Sequence, residues 1–323
     1  MDAQGAGSGK LQALEAMGLI EVTDFSERGW KDPASRESRS RWCCERLEHG
    51  DILVLPRFPA VSEDEQKFLT RVRQAGSAFV KNISYEPASG LLRGYARSGT
   101  NAQRLKQVLS DYSDRIHRAA AQMLAPYALR LQADFTSFRP LEEQGRRLRA
   151  RARNDLIHID SFPTRPAMGR RLLRFFTNVH PAKPRVWVVS QTFEELATRM
   201  AREAGLAECA GAPDRARRPN TVLAGAARLI GIRMVERSPY DRFMLRFHNY
   251  LKANQSFQRD CPKQQHEFAP GSTWIAFTDM VPHGVLSGQY ALEQTFFLPV
   301  TSTLKPDKSP LGILESLAGC RLA

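Results

Sequence analysis

The residue types best suited to chemistry stand in Leu156-Ile157-His158-Ile159-Asp160, a His-x-Asp pair set in an apolar, strand-like run. Side chains of an extended chain alternate with a period of two, so His158 and Asp160 project to one face and offer an imidazole nitrogen and a carboxylate oxygen to one point. A second histidine from another segment would complete a two-His-one-carboxylate facial triad, which holds non-haem Fe(II) and leaves coordination positions open. Those positions suit 2-oxoglutarate as a chelate, with dioxygen beside it. Downstream histidines are His180, His248, His266 and His283, which lie 20, 88, 106 and 123 residues beyond Asp160. In a double-stranded β-helix the second histidine follows a Gly turn and a buried strand near the end of the roll. Gly271-Ser272-Thr273-Trp274-Ile275-Ala276-Phe277, followed by Met280-Val281-Pro282-His283-Gly284-Val285, has that order and makes His283 the expected third ligand. His180 reads as a strand-end residue, His248 as a flanking residue of a helix, and His49, His117 and His266 as surface residues.

Such a site must be held by a roll of short strands. The second half of the chain offers apolar runs of strand length, rich in Phe, Val, Trp or Thr, at 131–138, 172–179, 185–189, 274–277 and 292–298. A further strand is expected at 51–55. Helices are predicted from the capping box Ser62-Glu63-Asp64-Glu65, over 102–124, over 190–200, from Ser238-Pro239 with Tyr240, Phe243, Met244, Phe247, Tyr250 and Leu251 on one face, and around 311–317. The predicted class is therefore α+β, with a jelly-roll (double-stranded β-helix) core and flanking helices. A mostly helical N-terminal buttress is expected over 1–125, with 1–10 disordered. The oxygenase core follows over 126–305 with a helical insertion at 190–255, and a tail helix over 306–323.

Composition narrows the function classes. Hydrophobic residues are 42% and charged residues 25% of 323, ordinary values for a soluble globular chain, which argues against disorder and fibrous repeats. No run approaches the roughly 20 apolar residues of a membrane-spanning helix, and no basic-then-apolar leader opens the chain, so a cytoplasmic location is expected. The five cysteines (Cys43, Cys44, Cys209, Cys261, Cys320) include no Cys-x-x-Cys pair and read as reduced thiols. Gly5-Ala6-Gly7-Ser8-Gly9-Lys10 lacks the spacing and preceding strand of a phosphate loop. The Arg-, Ala- and Pro-rich stretch 210–219 reads as a surface loop. Lysine and arginine number 47 against 34 acids, a net charge of 47 − 34 = +13, which predicts an anionic partner: nucleic acid, an anionic membrane surface or an acidic small substrate.

Longer motifs surround these residues: His158-Ile159-Asp160-Ser161-Phe162-Pro163-Thr164-Arg165-Pro166, Leu173-Arg174-Phe175-Phe176-Thr177-Asn178-Val179, Arg237-Ser238-Pro239-Tyr240-Asp241-Arg242-Phe243-Met244-Leu245, and Phe277-Thr278-Asp279-Met280-Val281-Pro282-His283 with Leu286-Ser287-Gly288-Gln289-Tyr290-Ala291-Leu292-Glu293-Gln294-Thr295-Phe296. In these, over roughly residues 130 to 300, the chain resembles the Fe(II)/2-oxoglutarate-dependent Kdo 3-hydroxylases of Gram-negative bacteria. The resemblance implies a jelly-roll oxygenase that hydroxylates carbon 3 of the sugar acid Kdo in Kdo-lipid A of lipopolysaccharide, giving Ko. It implies consumption of dioxygen and 2-oxoglutarate, with His158, Asp160 and His283 as iron ligands. It also implies peripheral contact with the cytoplasmic face of the inner membrane. One departure stands out. Many such oxygenases place a cation for the distal carboxylate of 2-oxoglutarate about ten residues after the second histidine, where this chain has Gln289, Tyr290, Glu293 and Gln294. Another strand must supply it, because a buried dicarboxylate needs a cationic partner and a guanidinium is the best geometric match. Arg174 is the first expectation and Arg139 the second, with Asn178, Gln294 and Thr295 as added hydrogen-bond donors.

Arg146-Arg147-Leu148-Arg149-Ala150-Arg151-Ala152-Arg153 abuts the ligand pair. If extended, its odd-numbered arginines line one face. They would then bind the Kdo carboxylate and lipid A phosphates, each contributing about 1 kcal/mol at an anionic surface, or form a solvated edge strand that discourages pairing. Arg147, Arg149 and Arg151, with Tyr240 and Asp241, form the expected substrate-binding set. The bland readings are core packing for Tyr240 and helix capping for Asp241. No stacking aromatics interleave the arginines, so nucleic acid is not an expected partner. The alternatives are an iron/2-oxoglutarate oxygenase on another anionic substrate such as nucleic acid, and a non-catalytic basic lipid- or RNA-binding protein.

Overall fold

A computed structural model describes residues 18–23, 33–72, 82–95, 99–146, 148–211 and 236–323. The Gly-rich first ten residues, Arg147 and nearly all of the 210–219 stretch lie outside them. The strands are β1 (Leu19–Glu21), β2 (Ile52–Leu55), β3 (Ile83–Glu86), β4 (Leu91–Arg93), β5 (Gln132–Arg139), β6 (Arg171–Asn178), β7 (Arg185–Val189), β8 (Gln264–Phe268), β9 (Thr273–Phe277), β10 (His283–Ser287) and β11 (Ala291–Leu298). The helices are α1 (Pro33–His49), α2 (Glu63–Leu69), α3 (Thr100–Met123), α4 (Phe193–Met200), α5 (Leu206–Ala210), α6 (Pro239–Ala253), α7 (Gln255–Asp260) and α8 (Pro310–Ala318).

Two sheets form the roll. The larger runs β1-β2-β9-β6-β11-β5-β3-β4, the smaller β10-β7-β8, and only β1–β2 pair in parallel. Both β6 and β11 are buried at every residue, which follows from their central position with a layer on each face. Phe176, on one face of β6, joins Trp187, Phe268 and Trp274 in a core between the sheets. Leu173 and Phe175, on the other, join the helix-side core with Leu105, Leu109 and Ile116 of α3. The Tyr112 hydroxyl of α3 lies 3.2 Å from the Thr177 hydroxyl.

Local signals are realised closely. Ser62 and Ser238 each close a capping box, with Pro239 in the first turn of α6, and Thr192 does so for α4. Three differences are long-range. The first 125 residues carry, beside their helices and the strand expected at 51–55, the strands β1, β3 and β4, and β2 pairs with β9 and β3 with β5 inside the main sheet. The arginine run is not extended at 150–152, where a 3-10 turn forms, so the alternation expected of an extended strand is broken there. The His-x-Asp run is not a regular strand but makes one isolated bridge, His158 to His283.

Candidate metal centre

That bridge builds the site. His158 and His283 exchange backbone hydrogen bonds, each amide donating to the other's carbonyl at 2.9 and 2.8 Å, while Val285 N donates to Asn154 O and Asp160 N to Thr278 O, both at 2.8 Å. Residues opposed in an antiparallel pair carry their side chains on the same face, and the two imidazole centroids lie 4.9 Å apart. The approach depends on Gly284, where a Cβ would sit 2.9 Å from the Asp155 carbonyl oxygen. His158, Asp160 and His283 are buried, and one ligand atom from each lies within 4.8 Å of the others.

Hydrogen bonding decides which atoms are offered. His158 Nδ1 is 2.7 Å from Leu156 O, and His283 Nδ1 is 2.8 Å from Val281 O. A carbonyl can only accept, so each Nδ1 carries the proton and each Nε2 keeps its lone pair, the usual outer-shell device for metal-binding histidines. The His283 ring stacks on Trp187 at 4.7 Å and 15°. Burial holds both histidines below the ordinary imidazole range, and the Lys252 charge adds to this at His158. Although burial alone would raise Asp160, the Arg174 guanidinium and the neighbouring histidines hold it far below the usual carboxylate range. Neutral imidazoles and an ionised carboxylate are what a divalent cation requires.

Behind Asp160 lies a closed lattice of charges. Arg174 donates to Asp160 Oδ2 at 2.5 Å and also to Glu293. Arg139 reaches both carboxylate oxygens of Glu293, at 2.7 and 3.3 Å, and Glu143 at 3.4 Å. Arg185 sits 3.6 Å from Glu143 and donates to Gly288 O at 2.9 Å. Three guanidinium groups thus face three carboxylates. Buried acids and bases persist only when paired in this way. The Nε of Arg174, buried in a residue 6% exposed, has no partner.

In front of the triad opens a cavity of about 460 Å³ lined by Arg151, Asn154, His158, Asp160, Ser161, Phe162, Pro163, Leu245, His248, Asn249 and Lys252. Its volume is that of a small-molecule pocket. His248 Nδ1 is 2.6 Å from Ile159 O, which leaves Nε2 unprotonated, and its ring packs edge-on to His158 at 4.9 Å. Burial and Lys252 push His248 down to about 4.

The sequence-predicted residues scatter around this centre in a definite pattern. Of the arginine run, Arg151 lines the cavity, Arg149 is exposed, Arg146 pairs with Glu143 and Arg153 with Asp155; Arg147 is outside the described residues. Tyr240 is packed in the core, and Asp241 accepts from Ser238 N and Oγ and from Met168 N, so neither lines the cavity. Asn178 spends its amide on Lys183 O, Phe268 O and His180 N. Thr295 is registered opposite Arg174. Gln294, next along β11, must face the opposite way by strand alternation. Its amide is engaged by Thr136 Oγ1, Asp134 O and Thr295 O. Unanticipated are His248, Asn249 and Lys252. They share an i, i+3, i+4, i+7 spacing with Leu245, a helical signal present in the sequence beside the apolar stripe. Glu293, the buried acid that joins Arg139 to Arg174, carried no local signal.

The description of the 3-deoxy-D-manno-oct-2-ulosonic acid (Kdo) hydroxylase family matches residues 30–321. Among solved structures, the Kdo hydroxylase KdoO, described as a non-haem Fe(II) α-ketoglutarate-dependent dioxygenase, is similar in three states. Its cobalt(II) complex is 33% identical, with a TM-score of 0.79 over 94% of this chain and 97% of that one. Its complex with α-ketoglutarate and Fe(III) is 32% identical, with a TM-score of 0.78 over 95% and 98%. Its apo form is 33% identical, with a TM-score of 0.79 over 95% and 97%. No curated protein sequence matches. With a family match over most of its length and a roll that follows these structures end to end, the chain belongs to the Kdo hydroxylase family.

Proposed function

We propose that this chain is a non-haem Fe(II)/2-oxoglutarate-dependent dioxygenase that hydroxylates carbon 3 of Kdo in Kdo-lipid A, giving Ko, while bound peripherally at the cytoplasmic face of the inner membrane. The observation that carries the chemistry is the buried convergence of His158, Asp160 and His283 beside an open cavity. Two imidazole Nε2 atoms and one carboxylate oxygen fit an iron(II) ion that keeps adjacent positions for other ligands. When bound, iron(II) supplies the coordination and redox capacity to couple 2-oxoglutarate and dioxygen to C–H hydroxylation.

The protein's own contribution is placement and charge. The carbonyls of Leu156 and Val281 lock the two imidazole tautomers. Arg174 occupies Oδ2 of Asp160 and leaves Oδ1 for the metal. Its unpartnered Nε, on the interior face of β6 opposite Thr295, supports Arg174 as the residue that receives the distal carboxylate of 2-oxoglutarate. Arg139 is committed to Glu293 and Glu143. Three guanidinium groups against three carboxylates are balanced before loading, and a dication with a dicarboxylate preserves the balance. Phe162 packs over the same guanidinium at 5.7 Å and lines the cavity, shielding the charges from water.

Among the described residues no helix is long and apolar enough to cross a membrane. Exposed Arg149, two residues before the cavity-lining Arg151, and the net charge of +13 support contact with an anionic lipid surface. The test is anaerobic titration of the Fe(II) protein with 2-oxoglutarate for the visible charge-transfer band, followed by turnover with Kdo-lipid A. Succinate formation and one added oxygen on Kdo in the mass spectrum are expected. Absence of both the band and succinate above background rejects the oxygenase reading.

A further inference from the structure

We propose that His248 of α6 accepts a hydrogen bond from the sugar hydroxyl beside the reacting methylene. The assignment rests on the reading of the chain as a Kdo hydroxylase. His248, Asn249 and Asn154 line the same cavity as His158 and Asp160, and all three are half-buried. In each, the donor nitrogen is turned to the protein. His248 Nδ1 lies 2.6 Å from Ile159 O, Asn249 Nδ2 donates to Leu245 O at 2.8 Å, and Asn154 Nδ2 is 3.1 Å from each carboxylate oxygen of Glu143. Carbonyls and ionised carboxylates only accept, so these contacts fix the imidazole tautomer and the orientation of both amides.

What remains on each of these side chains is an acceptor: His248 Nε2, Asn249 Oδ1 and Asn154 Oδ1. Among the described residues none of the three atoms has a hydrogen-bond partner. An acceptor withdrawn from water without a donor is costly, and a polyol brings donors to all three. A site built in this way selects for hydroxyl groups, because an analogue that lacks them leaves the acceptors unpaired.

The substrate's chemical name, 3-deoxy-D-manno-oct-2-ulosonic acid, leaves carbon 3 as the one carbon of the chain without oxygen. Its neighbours are carbon 2, which carries the acid group, and carbon 4, which carries a hydroxyl. A protein atom that holds the carbon 4 hydroxyl therefore holds the methylene two bonds away. Of the three acceptors, His248 is the one in ring contact with a residue of the triad, packing edge-on to His158 at 4.9 Å. Its Nδ1 is tied to Ile159, the residue between His158 and Asp160, so the acceptor and the proposed metal ligands are fixed to one another. The helix is held in turn by Phe243, Met244, Phe247 and Leu251, which are sunk in the core. A binding group set on a rigid, packed element keeps its geometry when the ligand arrives.

The test uses the protein loaded with Co(II) and 2-oxoglutarate without oxygen, titrated calorimetrically with the methyl ketoside of Kdo and with its 4-deoxy-4-fluoro analogue, which cannot donate at carbon 4. Wild type is expected to bind the parent ketoside about 5- to 150-fold more tightly, the scale of leaving one desolvated acceptor unpaired. His248→Asn keeps an amide N–H near the position of Nδ1 for Ile159 O and removes the acceptor at Nε2. It should abolish the preference, weakening the parent and sparing the analogue, while Co(II) affinity holds. His248→Gln, which can bring an amide oxygen near the lost Nε2, should keep part of the preference. In turnover, KM for the ketoside should rise in His248→Asn while KM for 2-oxoglutarate stays unchanged. Equal binding of the two ligands by wild type, a comparison that needs no variant, overturns the assignment. So does a His248→Asn protein that keeps the preference, or one that loses Co(II) and both ligands alike, which would make His248 a structural tie only. If wild type hydroxylates the ketoside without preferring it to the analogue, only the role of His248 falls; if it neither binds nor hydroxylates the ketoside, the Kdo reading falls and the assignment with it.

Discussion

Arg174 donates to Oδ2 of Asp160 at 2.5 Å while also holding Glu293, so the carboxylate of the His-x-Asp pair is oriented from behind by a guanidinium that itself reaches the site interior. Removing Arg174 would strip a buried charge from two buried acids. Arg174→Ala should destabilise the fold by about 3–5 kcal/mol, the scale of breaking a buried ion pair, and should raise the 2-oxoglutarate requirement far more than Arg139→Ala does. Denaturant titration and KM for 2-oxoglutarate in the two variants check this. Equal KM changes reject the ranking of Arg174 above Arg139.

The proposed roles of His158, Asp160 and His283 as metal ligands predict a steep dependence of metal affinity on each. His158→Ala and His283→Ala should each lose Co(II) affinity by more than the roughly 10–100-fold typical of outer-shell changes. Chelation of the wild-type protein should abolish turnover, and added Fe(II) should restore it. Visible absorption of the Co(II) form measures the affinity, and retention of tight Co(II) binding in either variant removes that histidine from the ligand set.

Gly284 holds the two histidine-bearing segments at their observed separation. A methyl group there meets the Asp155 carbonyl oxygen at 2.9 Å, so Gly284→Ala must push residues 154–158 away from β10. A loss of about 1–3 kcal/mol is expected, the range for overpacking, with Co(II) affinity reduced because His158 and His283 separate. Gly271→Ala is a control for substitution itself: no neighbour lies within 4 Å of a Cβ there, although its positive φ adds backbone strain.

Stability should fall on the acid side through a group remote from the site. Glu65 closes the cap of α2 and binds Arg115 through both oxygens at 2.8 Å. Burial would raise its pKa, but Arg115 and the Ser62 bonds outweigh that and hold it below the usual carboxylate value. A depressed folded-state pKa contributes stability that is present above the unfolded value, about 4.3, and is lost as pH falls through the folded one. Glu65→Gln should therefore cost about 1–2 kcal/mol at pH 7, on the scale of a lost cap, and the difference from wild type should shrink below pH 4. Urea midpoints across pH 3 to 7 measure it; a gap that persists unchanged at pH 3 contradicts the linkage.

Local periodicity and capping chemistry determined much from sequence alone. His158 and Asp160 share a face because extended chain alternates, even though the segment pairs at one bridge only. Ser62 and Ser238 start helices because their hydroxyls satisfy orphan amides of the first turn. The apolar runs became strands of the roll within a residue or two of their predicted limits. Tertiary structure decided whatever depends on distant segments meeting. Strand order drew β1 to β4 into the main sheet, a pairing that no local pattern encodes. The parity of β11 sends Glu293 and Thr295 to the face shared with Arg174 and Phe176, between the sheets, and the equally buried Gln294 to the helix side with Phe175, and register alone sets which strand residues face which. Glu293 became the hub of Arg139 and Arg174 only because β5, β6 and β11 are neighbours. Lys252 sits on the cavity because α6 packs its apolar stripe into the core and so turns the opposite stripe toward His158 and Asp160. Periodicity is a property of adjacent residues and is written in the chain, whereas the meeting of charges across three strands is a property of packing, settled by the burial of both sheet faces.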